Sequence, residues 1–464
     1  MSEPSHSTPK DYGLHAGVLG PVETLAQSVS TIAPSGSPSL LIPVIFALAG
    51  NATWLVFLLA TLATLLVGFC VSRFARLSAS PGSLYTYTVD SLPPLFGAVA
   101  GWGLLLAYVA GAMSAGGGAL YFAGILAQEF FHRAIPDLLS LAIVGVATAW
   151  IAYRDITFSA ELMLWIEVAS VSVILLVLLL VPVQFGFHPD WDQLRLKGAK
   201  ISALGPALVL AMLSFTGFES ATTLGVEARD PLRTIPRVVL QSAVLSGVFF
   251  VVCSYCEVLG FRGEAGKLSD STSPLHLLAS KGGVAPLGMV VDLCAMLSMF
   301  ACVLASITAA ARVSMRLAGA GLLPHVFERT SKRHGTPGLA ILATVGVLLV
   351  ATAAMIARGV GGSDILDLAG SLAVFGYLTA YTLVALALPF ALRAAGQCTP
   401  QVVVLSVVTI LAMIAIVIYD LQSATDPAHA RIPYLYIGYL VAGLAWFLVK
   451  RRRRPPAPRA SPAA

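Results

Sequence analysis

Charged side chains are scarce in this 464-residue sequence: Asp, Glu, Lys and Arg make up 11% of it, whereas hydrophobic residues make up 57%. A soluble domain carries about 25% charged residues. The composition therefore excludes a soluble globular protein and predicts a polytopic membrane protein with a lipid bilayer as its surroundings.

Cysteines and enzyme motifs are equally sparse. The six cysteines fall in apolar runs or, at Cys398, in a short loop, which excludes an extracellular disulfide framework. Cys253 and Cys256 have CxxC spacing, but the sequence around them offers no second pair and no histidine, so we expect buried thiols and no metal site. The loops lack GxxxxGK[ST] and a nucleophile beside a histidine. We therefore expect neither an enzyme nor a bound cofactor.

Twelve apolar runs approach the ~20 residues needed to cross a bilayer. They lie at about 18–48, 52–71, 95–128, 136–153, 156–183, 203–226, 236–261, 284–311, 337–357, 365–391, 401–419 and 433–449. The first twenty residues lack the basic-then-apolar pattern and cleavage site of a signal peptide, so we expect them to be retained.

Positive charge predicts the orientation of these crossings. Most of the 28 Lys and Arg residues fall in alternate loops that share one side with both termini, and such residues collect on the cytoplasmic side. We expect a multi-pass protein of the cell membrane with both termini inside. The run KRRRR at 450–454 fits a topology determinant, with anionic-lipid contact as the alternative, and we expect no nucleic-acid partner.

Two apolar stretches are interrupted by small and polar residues: TIAPSGSPSLLIP at 31–43 and LSFTGFESATT at 213–223. Lipid cannot satisfy a freed backbone group, so a helix breaks at membrane depth only where the break faces a polar cavity or other protein. Paired breaks are typical of a secondary transporter's binding site. The alternative is two kinks used only for packing.

The breaks offer opposite backbone groups. The N–H groups of Ser35, Gly36 and Ser37 precede a resuming half-helix, whose N-terminus favours a carboxylate. In the second break, Gly217 allows the chain to unwind between Phe215 and Phe218, which frees carbonyls that suit an ammonium group. Together they match the zwitterion of an α-amino acid.

The ionisable side chains expected at membrane depth are acids: Glu167 in the fifth run, Glu219 at the second break and Asp292 in the eighth run. A charge there costs at least ~2.5–3.5 kcal/mol. An intramembrane carboxyl is therefore either a proton carrier or a protonated group hydrogen-bonded to a neighbouring helix.

Four stretches resemble the amino acid–polyamine–organocation transporter family. FTGFESATTLGVEARDPLRTIP (215–236) is similar to its sixth-helix signature, and ASPGSLYTY (79–87), followed by Gly101 and Trp102, is similar to its third-helix start. RVSMRLAGAGLLP (312–324) and GTPGLA (335–340) resemble the end of helix eight and the start of helix nine.

The resemblance implies an all-α membrane protein with twelve transmembrane helices in the leucine-transporter fold: two inverted five-helix repeats, helices 1 and 6 broken, and two extra helices. On this basis the chain divides into a cytoplasmic tail (1–17), a first repeat (18–183), an extracellular loop (184–202), a second repeat (203–391), helices 11 and 12 (392–449) and a basic cytoplasmic tail (450–464).

It also implies roles for particular residues. The backbone of Ser35, Gly36 and Ser37 would hold the substrate carboxylate, and the carbonyls of Leu213, Phe215 and Thr216 its amino group. The Phe215 region would close over the substrate from outside, and Glu219 would take part in proton-linked gating. Some relatives carry a lysine on helix five; this chain does not, which leaves Glu167 as a second candidate proton carrier.

The expected function is secondary active transport of amino acids by alternating access, coupled to protons. An amino acid/polyamine exchanger and a transport-inactive substrate sensor are the alternatives. Two substrate classes stay open: the acids would tolerate a cationic side chain or polyamine, whereas Phe215, Phe218 and the glycines at 116–118 would suit a neutral, bulky one.

Overall fold

The computed structural model describes residues 12–185, 188–263, 268–423 and 427–453, and within these ranges it contains helices but no strand. The predicted tails 1–17 and 450–464 lie partly outside the described residues. The helices are α1 (Pro21–Ile32), α2 (Ile42–Ala49), α3 (Thr53–Ala75), α4 (Ser83–Val89), α5 (Pro94–Phe131), α6 (Asp137–Arg154), α7 (Ile156–Phe185), α8 (Trp191–Leu194), α9 (Ile201–Leu213), α10 (Pro231–Gly260), α11 (Pro274–Lys281), α12 (Ala285–Gly319), α13 (Gly338–Ile356), α14 (Gly362–Ala394), α15 (Pro400–Ser423) and α16 (Ile432–Arg453).

Within the described ranges, ten helical segments are long and apolar enough to cross a membrane. The first of them, residues 21–75, joins the first interrupted run to α3, and the apolar helix at 202–213, which leads into the second break, is too short to be among the ten. The count of twelve crossings stays a prediction. The 38 residues of α5 and 35 of α12 exceed a perpendicular crossing, which tilt accommodates.

Helices α5, α12 and α14 form the most extensively packed part of the bundle. Glycines make the close approach of α5 and α14 feasible: a Cβ on Gly117 would lie 2.6 Å from the Gly362 carbonyl oxygen, and one on Gly376 would lie 2.5 Å from the Gly103 carbonyl oxygen. Small residues at helix contacts are typical of membrane bundles. The Gly117 position thus serves helix packing rather than a wide substrate pocket.

The chain before α1 pairs with the chain that follows the second break. Leu19 and Ala228 form a parallel bridge, in which the Leu19 N–H donates to the Glu227 carbonyl at 2.9 Å and the Arg229 N–H donates to the Leu19 carbonyl at 2.8 Å. The Gly17 N–H adds a bond to Val226 at 3.2 Å. This pairing lies on the face of the bundle that the charge pattern predicts to be cytoplasmic.

Candidate functional site

The first break begins at Ala33, directly after α1, where the backbone is left-handed (φ 51°). The Gly36 N–H donates to the Ala33 carbonyl at 2.8 Å, and a π-helical turn at Ser37–Leu41 leads into α2. An added Cβ on Gly36 would lie 2.1 Å from the Met299 methyl carbon. The turn therefore already uses one of the three N–H groups predicted to hold a carboxylate.

The second break follows α9 and is a series of turns that ends in a 3-10 helix at Ser220–Leu224. The Leu213 carbonyl accepts from the Thr216 N–H at 3.2 Å and from the Thr216 hydroxyl at 2.8 Å, and the Phe215 carbonyl accepts from the Phe218 N–H at 3.3 Å. Within the described ranges, no hydrogen bond to the Thr216 carbonyl is formed. Of the three predicted carbonyls, that of Thr216 is the one available to a ligand.

The two breaks face each other across a cavity of about 60 Å³, which is enough for a few water molecules. Gly36 and Ser37 line it from the first break, and Leu213 and Thr216 from the second. The remaining wall comes from α5, α12 and α14 and includes the polar residues Ser114, Ser306 and Tyr377. Leu213 and Thr216 are half-buried and Tyr377 is buried.

Other predicted site residues lie outside the lining of this cavity. Ser35 is fully buried behind it, and its hydroxyl has no hydrogen-bond partner among the described residues. The Phe215 ring packs edge-on against Phe250 with centroids 5.2 Å apart, and the Phe218 ring contacts Tyr381 with centroids 5.6 Å apart. The unwound segment turns the Phe215 ring towards α10, and the expectation that the Phe215 region closes over the substrate stays a prediction.

Gly217 holds the second break against the first. Its φ is +82°, and an added Cβ would lie 2.1 Å from Thr31 Cγ2 and 3.3 Å from Tyr377 Oη. Thr31 is itself fixed, because its hydroxyl lies 2.7 Å from both the Gln27 carbonyl and the Ser220 hydroxyl. The site requires a residue without a side chain at this position.

Glu219 lies directly behind the cavity and is fully buried. Tyr108 on α5 donates to Glu219 Oε1 at 2.9 Å, and Tyr381 on α14 donates to Oε2 at 2.5 Å. Tyr377 packs against both tyrosines, with ring centroids 5.5 Å from Tyr108 and 5.8 Å from Tyr381. Because Tyr377 also lines the cavity, it connects the cavity to the carboxyl group.

Glu167 is buried at a different place, between α7 and α12. Both of its carboxylate oxygens accept from the Ser298 hydroxyl, at 3.1 and 3.0 Å. Glu167 is not part of the cavity lining, but Cys302 on the same face of α12 is, and its thiol donates to the Thr31 carbonyl at 3.1 Å. The structure therefore does not bring the two candidate proton carriers into one cluster.

An ion pair that the sequence did not predict lies beneath the cavity. Arg312 directly follows the eighth predicted run, 284–311, but α12 continues to Gly319, and both Arg312 and Glu227 are buried. Arg312 Nε donates to Glu227 Oε2 at 2.7 Å, its terminal nitrogen donates to Oε1 at 2.5 Å, and its second terminal nitrogen donates to the Thr308 carbonyl at 3.0 Å. This bidentate pair ties the segment after the second break to α12.

A search of solved structures supports the fold. The chain is similar to a mutant of the manganese transporter of Eremococcus coleocola, with a TM-score of 0.59, 15% identity and 97% of each chain covered. A second mutant of that transporter gives a TM-score of 0.56 at 14% identity. Likeness at such low identity shows the fold, and it confirms an all-α membrane protein of the leucine-transporter fold.

Curated relatives share more sequence. The branched-chain amino acid permease BcaP of Bacillus subtilis is 24% identical over 73% of both chains. The low-affinity putrescine importer PlaP of Escherichia coli K12 is 24% identical over 70% of both, and the methylthioribose transporter of B. subtilis is 25% identical over 73% of both. The sequence profile of the amino acid permease family matches residues 25–460. The family resemblance is thereby confirmed: the chain belongs to the amino acid permeases, a family of membrane transporters.

Proposed function

We propose that this protein carries small neutral α-amino acids across the membrane by alternating access, with protons as the coupling ion. The observation that carries the proposal is the cavity between the two breaks. Gly36 and Ser37 line it on one side, where the Gly36 N–H is already bonded to the Ala33 carbonyl, and Thr216, whose carbonyl accepts no hydrogen bond among the described residues, lines it on the other. Backbone N–H and carbonyl groups are what a carboxylate and an ammonium require.

The chemistry of the cavity wall selects the substrate class. Among the described residues that line it there is no Asp, Glu, Lys or Arg. A buried second cation, as in a diamine, would stay unpaired there at a high desolvation cost, whereas a neutral side chain would meet apolar and hydroxyl groups. The likeness to a branched-chain amino acid permease supports this class, and the small volume favours the smaller side chains.

Glu219 is the proposed proton carrier. Tyr108 and Tyr381 donate hydrogen bonds to its carboxyl group. Tyr377 lines the cavity and packs against both of these tyrosines, so one side chain separates the cavity from the tyrosines that hold Glu219. A substrate that displaces Tyr377 would alter the hydrogen bonding of Glu219, and a group whose solvation changes between states is suited to carry a proton. Glu167 is the second proposed carrier.

Counterflow into proteoliposomes tests the function. Vesicles loaded with unlabelled amino acid should accumulate labelled amino acid from outside, and an α-amino acid amide should compete far more weakly than the free acid. Binding without counterflow would identify a sensor. Equal competition by the amide would show that the substrate carboxylate does not contribute to binding.

A change in cavity size tests the location of the site. A Cβ added to Gly111 would lie 3.7 Å from Tyr377 Oη and 3.9 Å from Ser306 Oγ, so Gly111→Ala fits without a clash but places a methyl group in the lining. KM should rise most for the largest accepted side chain. Gly124→Ala on the same helix, where no atom lies within 4 Å, is the matched control. Equal KM values in both variants would place the substrate elsewhere.

The orientation of the chain in the cell membrane is also a proposal: both termini lie on the cytoplasmic side. In a background without native thiols, a cysteine at the exposed position 195 should react with an impermeant maleimide in intact cells, and cysteines at the exposed positions 229 and 333 should not. Residue 267, on the predicted outer side, lies outside the described residues. The reverse labelling pattern would invert the topology.

A further inference from the structure

Three ionisable side chains from separate helices meet on the face that the charge pattern predicts to be extracellular. Glu129 lies near the end of α5, His276 lies on the loop helix α11, and Asp292 lies on α12. His276 Nδ1 is 2.7 Å from Asp292 Oδ2 and 3.5 Å from Glu129 Oε1, and the three potential ligand atoms all lie within 4.8 Å of one another. No residue of this cluster lines the cavity between the breaks.

These distances suit a tetrahedral metal ion. Zn²⁺ binds histidine nitrogen and carboxylate oxygen at about 2.0–2.2 Å, which places neighbouring ligand atoms at roughly 3.3 Å from each other. The observed 2.7 and 3.5 Å bracket that value. One imidazole and two carboxylates are ligand types that Zn²⁺ accepts and would fill three positions of a tetrahedron, with the fourth left to water, whereas Ca²⁺ prefers six to eight oxygen ligands.

The surroundings hold the three side chains in place. Gly288, one turn before Asp292 on α12, allows the His276 ring to lie against the helix, since an added Cβ would lie 2.7 Å from the ring. Ser273 donates to Asp292 Oδ1 at 2.7 Å, which orients the buried carboxylate. Glu129 Oε2 is buried and has no hydrogen-bond partner among the described residues. The Glu129 carboxylate therefore has one oxygen, Oε1, that faces His276 and a second, Oε2, that the described residues leave unsatisfied.

The site is also accessible to an ion from solution. The His276 and Glu129 side chains are 24% and 27% exposed, whereas that of Asp292 is 0% exposed. The cluster lines an open cleft between α5, α11 and α12. A hydrated metal would reach the two half-exposed ligands first and the buried carboxylate last.

We propose that Glu129, His276 and Asp292 form a Zn²⁺ site whose occupation inhibits transport. The inhibitory half rests on the proposed transport function. Helix α11 packs against α7, α10 and α12 and contacts the π-helical turn Ser37–Leu41 of the first break. A metal ion that joins α11 to α5 and α12 would restrain the movement of α11 and of the first break that it contacts. The predicted outer side of the substrate cavity would then open and close more slowly.

Metal binding is measured first, because it does not depend on transport. The purified chelator-treated protein is titrated with Zn²⁺ by calorimetry and with Co²⁺ by its visible absorption, with Cys398→Ser in every variant to remove the exposed thiol. We expect one tetrahedral site per chain, and roughly tenfold or greater weakening in His276→Ala and Glu129→Gln. His429→Ala is the matched control, because His429 Nε2 also faces a carboxylate, that of Asp367, at 2.9 Å.

Unchanged affinity in both cluster variants, or an equal loss in the His429 control, would overturn the site. Melting temperatures within a few degrees of wild type would show that the variants fold. Zn²⁺ is then added outside right-side-out vesicles: uptake should fall in wild type and stay unchanged in His276→Ala. Stoichiometric binding without inhibition of measurable uptake would overturn the regulatory half alone. If wild type shows no uptake at all, the proposed function fails while the titration still decides the site.

Discussion

Replacing Gly217 by alanine tests how the two breaks are held together. Gly217 has a left-handed backbone, and the added methyl carbon would lie 2.1 Å from Thr31 Cγ2. Thr31 cannot rotate freely to relieve the clash, because its hydroxyl bonds to the Gln27 carbonyl and to Ser220, both at 2.7 Å. The methyl group therefore strains the backbone of one break and displaces a side chain of the other.

Two costs add up in Gly217→Ala. A left-handed backbone costs an L-residue roughly 1–2 kcal/mol, and one methylene too many in a packed core costs roughly 1–3 kcal/mol. The conformation seen here should therefore be destabilised by about 2–5 kcal/mol. Since about 1.4 kcal/mol changes an equilibrium constant tenfold, the population of this conformation should fall more than tenfold relative to conformations in which residue 217 has another backbone geometry. Initial uptake rates should fall by at least that factor.

A second substitution separates the two costs. Thr31→Ser keeps the hydroxyl and its two hydrogen bonds but removes Cγ2, so Gly217→Ala with Thr31→Ser should recover the packing part of the loss and retain the backbone part. Thermal melting in detergent and uptake in proteoliposomes measure both. Wild-type uptake and melting in Gly217→Ala would refute the reasoning, and failure of Thr31→Ser to improve it would refute the steric half.

Glu219→Gln keeps size and hydrogen bonding but cannot ionise, so it should lose the pH dependence of transport and proton-driven accumulation while still binding substrate. Glu167→Gln should show a smaller effect of the same kind. A wild-type pH profile in Glu219→Gln would show that Glu219 is not the proton carrier, which leaves Glu167 as the carrier or uncoupled exchange as the mechanism. Arg312→Met leaves Glu227 as a buried unpaired carboxylate and should destabilise the protein by about 3–5 kcal/mol. The double variant Arg312→Met with Glu227→Gln should recover most of the lost stability. Equal melting of the single and double variants would show that the ion pair is not the cause.

The breaks could be predicted because their cause is local. Two prolines that flank Ser35, Gly36 and Ser37 remove N–H donors and let the chain leave helical geometry at low cost, and residues of both breaks, Gly36, Ser37, Leu213 and Thr216, line one cavity. A single proline is not enough, since α10 continues through Pro236. The direction of the Phe215 ring could not be predicted in the same way. It depends on how far the unwound chain rotates, which only the packing of its neighbours determines.

The tyrosines around Glu219 were missed although the sequence contains a signal. Tyr377 and Tyr381 are one helical turn apart in an apolar run, and a buried tyrosine hydroxyl needs a polar partner. That partner lies on another element, and one sequence does not give the rotation of α5 or α14 about its axis. Arg312 was missed for a related reason: at the end of an apolar run it matches the positive-inside pattern, and only the folded position of Glu227 shows that it is buried.

The proposed alternating access requires the predicted cytoplasmic side to open, and two contacts on that side differ in what separation would cost. The pairing of residues 17–19 with 226–229 consists of three backbone hydrogen bonds, each worth roughly 0.5–1.5 kcal/mol net when water replaces the partner, and one exposed bond from Arg229 Nε to the Gly17 carbonyl at 3.3 Å. Separating Glu227 from Arg312 would leave two buried charges unpaired, and losing even one partner of such a pair costs about 3–5 kcal/mol. The hydrogen bonds are the easier contact to break. We therefore expect Glu227 to stay with α12 during transport, while residues 17–19 and α1 move away from it.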